Sequence, residues 1–243
     1  MEPAYKRVLV KLSGEALGIE GRLFDFDMIG EVAKVLSRIA RAGVQIGLVI
    51  GGGNIWRGRE TEKAGARMNR ALADHMGMLG TVLNALAMQD ALLQQGQPAR
   101  VMSAIPMTGV TEPFFFRDAI EHLQNGEIVI FAGGTGDPFH STDTAAAQRA
   151  AEIEADALLM AKNVNGIYEQ PPIKNPKANM ITNASYQDII DMQQKNKEEA
   201  IDTEALLICR KTKLPAMLVF ELKNPEDIER IVYGGTPGTY LKA

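Results

Sequence analysis

Val44-Gln-Ile-Gly-Leu-Val-Ile-Gly-Gly-Gly53 reads as a buried strand that empties into three consecutive glycines. Upstream, Arg7-Val-Leu-Val-Lys-Leu12 is a second apolar run dense in β-branched residues, and it ends in Ser13-Gly14. Between them, Asp27 is placed to cap a helix whose apolar positions Ile29, Val32, Leu36, Ile39 and Ala40 follow the helical period, with Gly43 beyond its end. Strand, loop, helix, strand and loop thus fill the first fifty residues.

The alternation continues downstream. Met68 to Gln95 carries Leu72, Met76, Leu79, Leu83, Leu86 and Leu93 as one stripe on a long helix, which Gly96 and Pro98 terminate. Arg100–Ile105 reads as a strand, Pro113 opens a helix ending near Asn125-Gly126, and Ile128–Ala132 is a strand running into Gly133-Gly-Thr-Gly136. A helix over Thr142–Ala155, strands at Asp156–Ala161 and Ala216–Phe220, a turn-rich insertion from Glu169 to Asn183 and a helix around Glu199–Lys213 complete the pattern. Such regular alternation predicts an α/β fold with a mainly parallel sheet covered by helices on both faces.

The chain has 243 residues, 46% apolar and 23% charged, which suits one large globular unit and excludes a disordered chain. A net charge of −4 argues against a general nucleic-acid binder. The single cysteine, Cys209, forms no internal bridge and fits a reducing cytoplasm. No apolar run approaches the roughly 20 residues needed to span a bilayer. Met1–Arg7 lacks the apolar core of a secretory signal, so a cytoplasmic protein without membrane attachment is expected.

In sheets of this kind ligands bind where loops leave the carboxyl ends of the strands. Three such loops are glycine-rich, at 13–14, 51–53 and 133–136, and each is either a tight turn or an anion cradle; together they describe a crevice for several phosphates. A P-loop is excluded because no G-x-x-x-x-G-K-[ST] occurs. A dinucleotide fingerprint is excluded because Trp56 stands where its third glycine belongs. Lys11 lies just before the first loop, and Arg57 follows the second within reach of a phosphate. For Asp74, Asp143 and Asp202, a helix cap or a solvated position accounts for the carboxylate as readily as a functional role. His75 reads equally as a packed, hydrogen-bonded side chain. No His, Cys and carboxylate cluster has structural-metal spacing.

Lys11-Leu-Ser-Gly-Glu-Ala16, Ile50-Gly-Gly-Gly-Asn-Ile-Trp-Arg-Gly58, Asp74-His-Met-Gly-Met-Leu79, Ser103-Ala-Ile-Pro106 and Gly134-Thr-Gly-Asp-Pro-Phe139 resemble the bacterial uridylate kinases of the amino acid kinase superfamily. The resemblance runs from Tyr5 to about Thr239. It implies a three-layer αβα sandwich in one domain, 1–243, with roughly 1–155 as the UMP lobe and 156–243 as the ATP lobe. It implies transfer of phosphate from ATP to UMP with Mg²⁺, whose ligands it leaves unassigned. Lys11, Asp143 and Asp202 take the catalytic positions. Lys11, Leu12, Ser13, Gly14, Gly53, Arg57, Lys162, Tyr168 and Lys174 take the ATP positions. Gly52, Asp74, Thr135, Gly136, Asp137, Pro138, Phe139, His140, Ser141 and Thr142 take the UMP positions. The family is hexameric, and GTP activation and UTP inhibition belong to the same expectation.

The chain also departs from that family's pattern. A usual Lys-Ala-Thr-Lys-Val-Asp-Gly-Val-Tyr run reads Met160-Ala-Lys-Asn-Val-Asn-Gly-Ile-Tyr168, and Pro171 replaces an acid. His140 and Ser141 stand where Phe and Thr are usual, and Gly18–Asp27 differs from the stretch associated with GTP. Two other readings follow: a nucleotide-binding regulator with weakened catalysis, and a kinase for a different acidic metabolite.

Overall fold

A computed structural model describes residues 2–57 and 68–243; Gly58, which closes the second motif, lies outside the described residues. Strand β1 (Arg7–Leu12) pairs in parallel with β2 (Gln45–Ile50), setting Lys11 opposite Val49. Its other edge pairs with β6 (Ala157–Lys162), setting Lys11 opposite Met160. Beyond β2 lie β5 (Ile128–Ala132), β3 (Ala99–Ser103) and β4 (Glu112–Pro113); beyond β6 lie β10 (Met217–Glu221), β11 (Thr239–Lys242) and β9 (Asn183–Ser185). The nine-stranded order is β4-β3-β5-β2-β1-β6-β10-β11-β9, parallel throughout except for β10 against β11. A separate hairpin of β7 (Ile167–Tyr168) and β8 (Met180–Ile181) carries the turn-rich insertion.

Both faces of the sheet are apolar, so both need cover. Helices α1 (Phe26–Arg41), α2 (Arg70–Gln94) and α7 (Glu226–Val232) bury Ile29, Leu36, Met88 and Ile228 against Val8, Val10 and Leu12. Helices α3 (Phe116–Gln124), α4 (Thr142–Glu152), α5 (Tyr186–Asn196) and α6 (Thr203–Thr212) bury Leu123, Ala146, Ile189 and Leu206 against Leu9, Leu158 and Met160. The result is the expected αβα sandwich. The alanines of α4 let it lie close over β1 and β2, which brings its N-terminus to the strand ends.

Several local expectations are corrected. Asp25, not Asp27, caps α1, its carboxylate accepting from the Met28 N–H at 3.1 Å. Asp27 instead sits in the first turn, where negative charge meets the helix dipole. Pro113 ends the edge strand β4, which tolerates a residue with no N–H, and the helix begins at Phe116. The long helix buries Ala73, Thr81, Val82, Asn84, Ala85, Met88 and Leu92, while Leu72, Leu79, Leu83 and Leu93 are exposed. Where the glycine loops press against α2, the residues that meet them are small or polar: Gly77, Gly80, Thr81 and Asn84. Although long and apolar enough to cross a membrane by length and composition, α2 is a layer of the sandwich packed on β3 and β5. Hairpin β7–β8, strands β9 and β11, and helices α5 and α7 are seen only here, although Tyr186, Ile189 and Ile190 in α5 and Ile228, Ile231 and Val232 in α7 follow the helical period.

Candidate active site

At the carboxyl ends of β1, β2, β5 and β6 a cavity of about 560 Å³ opens. Its floor is built from charge. Lys11 is the penultimate residue of β1 and Lys162 the last residue of β6, and both reach Asp143, the second residue of α4. The Lys11 ammonium lies 3.0 Å from one carboxylate oxygen of Asp143, and Lys162 binds the other. Burial pushes the Asp143 carboxyl up, but the Lys11 and Lys162 charges outweigh it and hold the group at about 2. One carboxylate between two ammonium groups leaves the floor with a surplus positive charge facing the cavity.

The walls come from the glycine loops and α2. The Gly51 N–H donates to the Leu12 carbonyl at 2.9 Å, joining the first two loops. Asn84, wholly buried on α2, donates to the Gly51 carbonyl at 2.6 Å and to Asn54 at 2.8 Å. A Cβ on Gly52 would lie 2.5 Å from the Gly77 carbonyl oxygen, so only glycine lets the second loop lie on α2. Thr81, one turn along α2 from Gly77, accepts from the Gly133 N–H at 2.8 Å and so supports the third loop. Gly133 itself has φ of 76°, the left-handed region.

Asp74 lies on the second turn of α2 and faces the third loop. Arg70 donates to one of its oxygens at 2.9 Å, and the Phe139 N–H donates to the other at 3.0 Å. Phe139 has φ of 71°, an uncommon conformation for a residue with a side chain, and its ring is exposed. That bend turns its amide toward Asp74. Ser141 then caps α4, its hydroxyl accepting from the Thr144 N–H at 3.1 Å.

Most of the residues expected at a site therefore converge. Lys11, Gly52, Gly53, Asp74, Thr135, Asp137, Phe139, His140, Ser141, Thr142, Asp143, Lys162 and Asp202 all line the cavity. Ser13 and Gly14 adjoin it at the end of β1, while the Leu12 side chain is in the core, leaving only its backbone near the loop. Gly136 and Pro138 belong to the third loop without lining the cavity. Arg57 donates to the Gly53 carbonyl at 3.0 Å and pairs with Glu15, which in turn accepts from Asn163. Asp202 is not inside a helix as its neighbours' spacing suggests. It is the N-cap of α6, accepting from the Glu204 N–H at 2.9 Å, because a short carboxylate satisfies a free first-turn amide. Tyr168 and Lys174 lie outside the cavity: the Tyr168 hydroxyl donates to Asn165 at 2.7 Å, and Lys174 pairs with Glu198.

Sequence reasoning missed Arg70, Glu15, Trp56 and Thr81, which also line the cavity, and Asn84 behind it. Asn84 and Thr81 are polar residues inside an apolar helix, and that mismatch was the available signal. His75 donates to or accepts from nothing in the cavity; its Nδ1 meets the Ala71 carbonyl of its own helix at 2.7 Å. Cys209 is buried and its thiol is pushed up to about 12 by that burial, so it is no nucleophile.

An αβα sandwich whose strand ends carry glycine loops and a Lys–Asp–Lys floor is suited to holding and transferring phosphate groups. The comparisons agree: the model of the Amino acid kinase family matches residues 6–219. The chain is 46% identical to a uridylate kinase of Methylococcus capsulatus, covering 99% of this chain and 98% of that one. Among solved structures, UMP kinase from Bacillus anthracis superposes with a TM-score of 0.90 at 38% identity, covering 98% of this chain and 96% of that chain. UMP kinase from Ureaplasma parvum does so with a TM-score of 0.88 at 31% identity, covering 98% and 99%. The chain belongs to the amino acid kinase family, and within it to the uridylate kinases.

Proposed function

We propose that this chain transfers the γ-phosphate of ATP to UMP, giving ADP and UDP. The observation that carries the reading is Asp143 held between Lys11 and Lys162 at the floor of a cavity whose rim bears Asp74 and the 133–141 loop. A UMP phosphate oxygen attacks the γ-phosphorus, the bond to the β–γ bridging oxygen breaks, and ADP leaves with that electron pair. Charge then spreads over the transferring oxygens, and fixed cations meet it without reorganising. Lys11 and Lys162 are those cations, and Asp143 holds them in place. The backbone of Leu12, Ser13, Gly14 and Gly53, with Arg57, cradles the ATP phosphates. Tyr168 and Lys174 serve the rest of the donor.

On the acceptor side, Asp74 takes ribose hydroxyls, Gly52 approaches the UMP phosphate, and Thr135 to Thr142 enclose the base. Asp202 completes the catalytic set at the junction of the halves. On this reading, residues 1–155 form mainly the acceptor lobe and 156–243 mainly the donor lobe of one domain. Mg²⁺ neutralises phosphate charge when bound. Asp143 commits both oxygens to lysines, and no group of three potential ligands gathers among the described residues. A cation carried in on the triphosphate would add positive charge there, and Asp202, one of the carboxylates that line the cavity, would be the residue to hold it. The four exposed leucines of α2 would be covered in a homohexamer; a cytoplasmic location, GTP activation and UTP inhibition join this reading from the family resemblance alone.

The reading of a regulator with weakened catalysis draws on the substituted 160–171 segment. Lys162 weighs against it, because a cation meets Asp143 even though residue 160 is Met. Coupled ADP release with UMP, CMP and small carboxylic acids is the test: release with UMP alone is expected, and release with an acid alone would overturn the proposal. Asp74→Asn should weaken UMP by about 1.5–3 kcal/mol through loss of charged hydrogen bonds and leave ATP nearly unchanged. Separate KM measurements for the two substrates check it.

A further inference from the structure

Three elements that line the cavity meet at one carboxylate outside it. His140 ends the third loop, Thr144 follows Asp143 in α4, and Glu204 lies in the first turn of α6, two residues after Asp202. The His140 Nδ1 donates to Glu204 Oε2 at 2.8 Å, and the Thr144 hydroxyl approaches the same oxygen at 3.5 Å. A carboxylate only accepts, so the proton of that imidazole lies on Nδ1. Negative charge is favourable where Glu204 stands, beside the free amides of a helix N-terminus. Thr144 is buried, so one of the three partners cannot drift.

The 133–141 loop is thus fastened at two adjacent residues to two different elements. Phe139 ties it to α2 through Asp74, and His140 ties it to α6 through Glu204. The first tie stays within the acceptor half of the chain. The second crosses to the donor half, over the mouth where Asp202 and Ala200 line the cavity.

We propose that Glu204, acting through His140 and Thr144, is a positioning residue that locks the acceptor loop onto α6 and thereby sets the affinity for UMP. The inference rests on the UMP kinase reading and adds to it a carboxylate, Glu204, that fixes the loop from outside the cavity. Glu204 and His140 are both partly exposed, so the contribution is that of a solvent-screened hydrogen bond to a charged carboxylate, modest and weakened by salt.

The test compares His140→Phe, Glu204→Ala and their combination with the unmodified protein, measuring KM for UMP and for ATP by ADP release at low and high salt. Each single change should raise the UMP KM about two- to five-fold, leave the ATP KM unchanged, and narrow its gap to the unmodified protein at high salt. The double variant should be no worse than the worse single one. Glu204→Gln, which keeps the acceptor oxygen without the charge, should recover part of the loss and reports on the pair even where the alanine variant is unstable. Independent, multiplying effects of the two changes, an unchanged UMP KM, or an equal rise in the ATP KM would overturn the inference while leaving the kinase reading standing. No UMP-dependent ADP release from the unmodified protein would overturn both.

Discussion

Lys11 occupies an unusual place for a lysine: 6% exposed, in the most central strand, flanked by Val10 and Leu12. An isolated ammonium there would be costly, and Asp143 is what makes it tolerable. Replacing Lys11 with Ala is expected to lower turnover roughly 10²–10³-fold, the usual loss of one transition-state donor, with UMP binding largely retained; turnover and UMP titration in the variant check both halves. Asp143→Asn leaves two ammonium groups facing each other without a counter-charge, and should destabilise the fold by about 3–5 kcal/mol. The sign of its pH dependence follows from a carboxyl held at about 2 against an ordinary aspartate value of 3.8. Its stabilisation is fully present above about pH 4 and fades as pH falls toward 2. Denaturant unfolding of the two proteins should therefore differ most near neutrality and converge across that acid window.

At the scale of elements, α2 does two jobs with two faces. Its inner face holds two glycine loops through Thr81 and Asn84 and presents Asp74 to the third loop; its outer face carries leucines. The contact with the second loop depends on backbone lying on backbone, so Gly52→Ala should force the loop away from Gly77. We expect a loss of about 1–3 kcal/mol in urea unfolding, as in other overpacked sites, together with a raised KM for both substrates, since the loop adjoins both halves. A change confined to one substrate would show that α2 positions only that half.

Across the whole molecule, one continuous sheet joins β4, β3, β5, β2 and β1 from the first half to β6, β10, β11 and β9 from the second. The cavity straddles the centre of that sheet. Three of the departures from the family pattern, Met160, Asn165 and Pro171, fall on the donor side. Pro171 offers no side-chain acceptor, and Asn165 is occupied with the Tyr168 hydroxyl. The expected outcome is a high ATP KM, or broad use of purine triphosphates, with phosphoryl transfer retained. Asn165→Asp combined with Pro171→Asp should tighten ATP relative to GTP; strong ATP preference in the starting protein, unimproved by the change, would free this segment of any part in donor choice.

Local pattern was enough for the architecture. Runs such as Arg7–Leu12 and Gln45–Ile50, each ending in glycine, announce buried parallel strands because apolar periodicity and turn chemistry are properties of adjacent residues. The residues that the motifs single out, Lys11, Asp74, Asp143 and the third loop, meet at one cavity. Only the folded chain decided what those residues touch. Four leucines of the α2 stripe face outward while Leu86 packs on the core, and where the glycine loops approach closely the inner residues are small or polar. Asp202 became a cap, Lys162 reached Asp143 from two residues beyond the position where a lysine was expected, and Glu204 met His140 across 64 residues of sequence. These are contacts between elements remote along the chain, and their geometry depends on how the sheet orders its strands, which no local pattern encodes.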